Sequence, residues 1–181
     1  LDDAVMFIEK MRQVSVSLSR VESSICSIAI LPMVQNAVLR VRREHNIDAD
    51  RIKLHLPADA IVNSNPLAEE LFWNVIDNAV KQGSPILEIS CPVCDERATT
   101  ILVTDYAGGV SSDIMEYLNS PLEGTTNNTP GKGLGLMLIK RLSELCGAKT
   151  LAMDTVNEEK VVGTTFKIVF STSTSPVSNL P

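Results

Sequence analysis

Aromatic residues are scarce in this chain: one Trp, two Tyr and four Phe, 4% of 181 residues. Its core must therefore be filled mainly by aliphatic side chains, within a hydrophobic content of 44% that suffices for one full-sized core. No basic run is present and the net charge is −6, which argues against a nucleic-acid-binding surface. The longest apolar runs are far short of a membrane span. Cysteine is limited to four positions, a CPVC pair at Cys91 and Cys94 and the scattered Cys26 and Cys146. A structural zinc site ordinarily needs a second pair or a nearby His. His45 and His55 lie far off in sequence, so the pair reads as a strand end or turn carrying two small thiols in a reducing compartment. No signal peptide or initiator Met opens the chain, which reads as a piece of a longer protein whose membrane attachment it does not address.

What is present is organised around Pro66–Gln82, PLAEELFWNVIDNAVKQ. At helical spacing Ala68, Leu71, Phe72, Trp73, Val75, Ile76, Ala79 and Val80 cover more than half the circumference, the pattern of a helix deep in a core. The remaining stripe holds Glu70, Asn74, Asn78 and Lys81. Asn is a poor helix former because its side chain competes for the backbone. Two of them one turn apart read either as an ordinary polar face or as amide groups aimed at a ligand or metal.

Residues 1–24 have helical periodicity (Val5, Ile8, Met11, Leu18, Val21), an apolar stripe suited to packing on the domain or on a second chain. Ile25–Leu31 reads as an edge strand and Met33–His45 as a helix begun by Pro32, with Arg40, Arg42 and Arg43 towards its C-terminal end. Arg51–Leu56 alternates as a half-buried strand, Asp59–Val62 is a second short one, and Asn65 and Pro66 start the central helix. Ile86–Cys91 and Arg97–Thr104 are spaced for an antiparallel hairpin, followed by the turn DYAGG at Asp105–Gly109. Ser111–Leu118 predicts a short helix capped by Ser111 or Ser112. Asn119–Pro130 is a long loop of turn formers, the kind that is usually functional. Leu134–Cys146 is a helix closed by Gly147, and Lys149–Val156 and Val161–Ser171 are strands joined by a charged turn. Residues 172–181 form a Ser/Thr/Pro tail with nothing to bury, expected to be disordered. The order predicts an α+β fold, a two-layer α/β sandwich. One mixed, mostly antiparallel sheet is covered on one face by about three helices and preceded by an N-terminal helix.

Two further stretches carry chemistry. GKGLGL at Gly131–Leu136 follows the long loop and opens a helix; alternate glycines and a helix N-terminus suit a polyphosphate, and Lys132 adds charge. It fits neither GxGxxG nor a Walker A loop, and a plain hinge remains the alternative. Asp105 closes an apolar strand, where an acid stays buried only with partners, an adenine amino group being one and an ordinary turn the other reading.

In order and at suitable spacing, NVIDNAVK (Asn74–Lys81), DYAGG (Asp105–Gly109), GKGLGL (Gly131–Leu136) and GTTFKI (Gly163–Ile168) resemble the ATP-binding catalytic domain of sensor histidine kinases. That superfamily is shared with DNA gyrase, a class of heat-shock chaperones and MutL, and its fold is the Bergerat fold. The resemblance covers roughly residues 25–171, and SLSRVESS in residues 1–24 resembles the end of such a kinase's dimerisation helix. It implies that Asn78 ligates Mg²⁺ through its carbonyl. Asn74 would then lie beside the triphosphate and Lys81 reach phosphate. Asp105 would accept from the adenine amino group, with Gly109 allowing the turn beneath the base. Gly131, Lys132, Gly133, Leu134, Gly135 and Leu136 would hold the phosphates, Asn119–Pro130 would form a lid, and Thr164 would make a water-mediated contact. Glu70 is the alternative proton acceptor on the stripe.

The implied partners are ATP, Mg²⁺, a dimerisation domain carrying the acceptor His, and a response regulator receiver domain. The parent is expected to be a homodimer with this domain cytoplasmic, whether or not it is membrane-anchored, and no nucleic acid is implied. Ala107 stands where the family has Gly, and the lid lacks the usual aromatic, with Leu118 or Leu122 in its place, so ATP binding is expected to survive but weaken. An ATPase clamp is disfavoured because Asn74 stands where those enzymes place a water-activating Glu. A nucleotide-binding interaction module is the other alternative. Neither His45 nor His55 has the helical His-acid-x-x-x-Pro setting of an acceptor. Incubated alone with radiolabelled ATP, the chain should gain no label on either histidine.

Overall fold

A computed structural model describes residues 24–121 and 134–172. The expected helix over residues 1–24, most of the expected lid and the tail beyond residue 172 lie outside the described residues. The chain runs β1 (Cys26–Ala29), α1 (Ile30–His45), β2 (Ile52–His55), β3 (Ile61–Ser64) and α2 (Leu67–Lys81). The hairpin β4 (Leu87–Cys94) and β5 (Ala98–Asp105) follows, then α3 (Ser112–Asn119), α4 (Leu134–Leu145), β6 (Ala148–Asn157) and β7 (Lys160–Ser171). This is the expected two-layer α+β architecture. Its sheet has the order β2-β4-β5-β7-β6, in which only the β2–β4 pair is parallel.

The sheet's alternation decides what faces the helices. Ile89 pairs with Val103, Val103 with Phe166 and Ile101 with Ile168, and all of these side chains are buried. Period two then places Asp105 on the same covered face, two residues past Val103, at the end of a row that is otherwise apolar. The opposite face carries polar pairs such as Lys53–Glu88 and Thr104–Thr165. Phe72 of α2 meets Phe170 of β7 with ring centroids 6.1 Å apart, and Leu71, Val75 and Ile76 are fully buried beside it.

One side chain satisfies two helix ends. Asn65 Oδ1 accepts from Leu67 N–H at 3.0 Å, capping α2, while its Nδ2 donates to the Leu145 carbonyl at 2.8 Å, at the end of α4. Ser64 Oγ donates to the next carbonyl, Cys146, at 2.7 Å. The start of α2 is thereby tied to the end of α4, and the opposite ends of both helices meet at the site described below. At the other end of the α3–α4 connection, Lys140 Nζ donates to the carbonyls of Tyr117 and Ser120, each at 2.7 Å. A buried ammonium thus meets the negative end of α3.

Several local expectations shift. The strand expected over Ile25–Leu31 is only Cys26–Ala29, and it pairs with β3 in a separate two-stranded ribbon. Ile30 is already helical and fully buried, so α1 begins earlier than Met33, with Pro32 in a first turn that needs no N–H from it. The second short strand runs Ile61–Ser64 rather than Asp59–Val62. Ser111 occupies the N-cap of α3 but makes no side-chain capping bond. Asn119 is the last residue of α3, not the start of a loop: its amide exchanges two bonds with the Ala152 backbone, at 2.9 and 2.8 Å.

At Gly163 in β7 a Cβ would lie 1.8 Å from the Asp105 carbonyl oxygen and 2.8 Å from Tyr106 Cα. Both obstacles are backbone, so no side chain can yield. Gly163→Ala is expected to lower stability by about 2–4 kcal/mol, read as a fall in the urea midpoint with an unchanged slope.

Candidate functional site

A cavity of about 310 Å³ opens between the C-terminal end of α2, the turn after β5, α3, the start of α4 and β7. Asn78, Asp105, Ala107, Gly109, Leu136 and Thr164 line it, so the four motif stretches converge on one space. Asp105 is 6% exposed, and its Oδ1 accepts from Thr164 N–H at 3.1 Å and Ala107 N–H at 3.0 Å. Both bonds use one oxygen, which orients the carboxylate at the cavity wall. The carboxylate needs Thr164 close by, and the bare Cα of Gly163 permits that approach. Gly108 donates its N–H to the Val162 carbonyl at 2.9 Å, completing the lock between turn and strand. Gly109 has φ +81°, and a Cβ there would meet Val161 at 2.6 Å.

Tyr106 fixes the turn from behind. Its hydroxyl donates to Glu88 Oε2 at 3.0 Å and its N–H to Ser84 Oγ at 2.9 Å. Burial and then the hydrogen bond to Glu88 push its phenol above the ordinary range, while Lys53 and then Tyr106 hold the Glu88 carboxyl below its own.

The central stripe divides. Asn78 lines the cavity, and no side-chain hydrogen bond engages it among the described residues. A Cβ on Gly135 would lie 3.9 Å from Asn78 Oδ1, so the start of α4 faces the amide directly. Asn74 is 3% exposed, and its Nδ2 donates to the Glu70 carbonyl at 2.7 Å. Glu70 pairs with Arg40 at 2.8 Å, and Lys81 with Asp77 at 2.8 Å. None of those three side chains lines the cavity. Gly131, Lys132 and Gly133 lie outside the described residues; Leu134 begins α4 and Leu136 reaches the cavity.

Gln82, Ile114 and Phe166 also line this space and were not read as site residues. Gln82 stands one turn beyond Asn78, a signal hidden by its place at the helix end. Phe166 lies two residues past Thr164 on the same strand face, where an aromatic reads as core.

The cysteines form no metal centre with histidine among the described residues. Cys91 and Cys94 end β4 at a bulge, and burial, with Cys94 adding, pushes the Cys91 thiol up to about 11. The group close enough to hold an ion is Glu44, His45 and Asp77, with ligand atoms within 4.8 Å of one another. Its carboxylates are already engaged, Glu44 by Arg40 and Trp73 Nε1, and Asp77 by Lys81 and His45.

A buried acid, an amide with no side-chain partner among the described residues and the start of a helix meet around one cavity, an arrangement suited to a polar ligand. Residues 63–174 match the family of histidine kinase-, DNA gyrase B- and HSP90-like ATPases, and the chain belongs to that family. Among solved structures it is similar to a mycobacterial sensor histidine kinase, MprB, with 20% identity and a TM-score of 0.64, covering 81% of this chain and 97% of that one. It is also similar to the catalytic domain of the histidine kinase ThkA, with 14% identity and a TM-score of 0.62, covering 82% and 97%. For AdeS of Acinetobacter baumannii the values are 18% and 0.63, covering 91% and 76%. No curated protein matches the sequence significantly.

Gly135→Ala should separate folding from binding. Its methyl has room in the protein and favours helix, so stability is expected to hold or rise by up to about 1 kcal/mol. The same methyl occupies the space beside Asn78, so ATP used as a probe of that space is expected to bind about tenfold more weakly by calorimetry.

Proposed function

We propose that this domain binds Mg-ATP and transfers the γ-phosphate to a histidine on a kinase dimerisation domain, for relay to a response regulator receiver domain. The observation that carries the reading is the pairing, across one cavity, of an oriented buried carboxylate at Asp105 with an amide at Asn78 that has no side-chain partner among the described residues. Asp105 Oδ2 would accept the adenine amino group, selecting adenine over a base that presents a carbonyl there. Asn78 Oδ1 is a hard oxygen suited to Mg²⁺, an ion usually held by few protein ligands together with substrate phosphates. When bound, the ion supplies neutralisation of phosphate charge.

The chain's own residues would do the rest. Thr164 and Ala107 fix the acid, and Ile114, Leu118 and Phe166 give the base apolar walls. Gly131, Lys132, Gly133, Gly135 and the start of α4 would present N–H groups to the phosphates, with Asn74 and Lys81 alongside. Catalysis would be positioning and charge stabilisation rather than proton abstraction. Asn74 cannot serve as a base, and Glu70 is held by Arg40, which supports phosphotransfer over water activation. His45 is bound to buried Asp77, a setting unsuited to an acceptor. The domain would work on the cytoplasmic side as part of a homodimeric kinase.

Calorimetry with Mg-ATP, followed by phosphotransfer to a purified dimerisation domain carrying its acceptor His, tests this. Asn78→Ala is expected to weaken Mg-ATP at least about tenfold and to abolish measurable transfer. Absence of wild-type binding at millimolar nucleotide would overturn the reading.

A further inference from the structure

Lys81 is the cation that the proposed site places nearest the phosphates on α2, yet its ammonium is engaged elsewhere. Nζ lies 2.8 Å from Asp77 Oδ2, one turn back on the same helix. Asp77 is not an ordinary surface acid: it is 5% exposed, and its other oxygen lies 2.7 Å from His45 Nε2 at the end of α1. A carboxylate removed from water needs partners at both oxygens. Glu44, the remaining charged group of this cluster, is taken up by Arg40 and Trp73.

The acid is thus fixed by a second helix, and the lysine is the exposed member of the pair. His45 anchors one oxygen from α1, whereas the Lys81 side chain that meets the other is 51% exposed. At helical spacing Lys81 projects about 40° from Asp77 and about 60° from Asn78, on opposite sides. Asn78 lines the cavity and Lys81 does not. To reach a phosphate beside Asn78, the ammonium must leave Asp77.

We propose that Asp77, anchored by His45, is a positioning residue that holds Lys81 withdrawn from the cavity, so that nucleotide phosphates recruit Lys81 only by breaking this pair. The proposal rests on the nucleotide reading given above. It makes the Asp77–Lys81 pair an internal competitor of the triphosphate. Ligands without phosphates do not meet this competition, because the adenine end of the cavity lies at Asp105 and Thr164.

A double-mutant cycle tests it, with Mg-ATP and adenosine titrated by calorimetry into the wild type, D77N, K81M and D77N/K81M. Asn is isosteric with Asp and retains an oxygen for His45, while losing the charge that holds Lys81. D77N is expected to bind Mg-ATP about three- to tenfold tighter than the wild type. D77N/K81M should bind it no tighter than K81M, and adenosine should bind all four proteins equally. Equal tightening with and without Lys81 would reveal a general charge effect and overturn the proposal, as would unchanged or weaker binding by D77N. Should D77N fail to fold, H45A supplies the second arm. Loss of His45 leaves Lys81 as the remaining partner of Asp77, so Mg-ATP should weaken in H45A but not when H45A is added to K81M. Equal loss in both backgrounds overturns the proposal. A wild type that binds neither Mg-ATP nor adenosine would instead remove the nucleotide reading itself.

Discussion

Strand β7 passes so close to the end of β5 that residue 163 has no room for a side chain. The Asp105 carbonyl oxygen occupies the place a Cβ would take. Much of the site follows from that approach. It brings Thr164 N–H onto Asp105 Oδ1, and it lets the turn after β5 close onto β7 through Gly108 N–H and the Val162 carbonyl. An acid at the end of an apolar strand row would otherwise be costly to bury, and here two backbone donors hold it in one orientation. Both bonds fall on the same oxygen of an acid that lines the cavity.

The opposite wall depends on a different tie. Asn65 caps the start of α2 and reaches the last carbonyls of α4, and Ser64 adds to the same junction. Two helices fixed at one pair of ends have little freedom at the other. Asn78 and Gly135 therefore face one another at a distance set some three turns away. Lys140 performs a related service for α3, whose terminal carbonyls it holds against α4. Membership of the histidine kinase-, gyrase- and HSP90-like ATPase family and this arrangement point in the same direction.

Much of this was legible in the chain itself. The apolar arc of α2, the alternation of β5 and β7, the Asn65 cap and the Gly147 helix stop each rest on local periodicity or backbone chemistry, and each sits close to where the sequence placed it. Elements whose identity depended on a distant partner were less legible. β1 is four residues long and could not signal that its partner would be β3 rather than the main sheet. Asn119 looked like a loop residue because its two bonds go to Ala152, which no local pattern announces. Gln82 and Phe166 were missed because one resembles a helix end and the other a core aromatic until the cavity is seen between them.

The sequence by itself determined that Asn74, Asn78 and Lys81 share a helical stripe, that Asp105 ends a buried strand, and that glycines open the last helix. Periodicity fixes which residues share a face, because backbone geometry repeats whatever the surroundings. Only the tertiary structure decided which member of the stripe lines the cavity. Asn74 turns back on the Glu70 carbonyl, Glu70 goes to Arg40, Lys81 goes to Asp77, and Asn78 alone of the four lines the cavity. Arg40 and His45 arrive from α1, some thirty residues earlier in the chain. Charge partners drawn from another helix are set by packing, so no reading of the α2 stripe alone could have distributed those bonds.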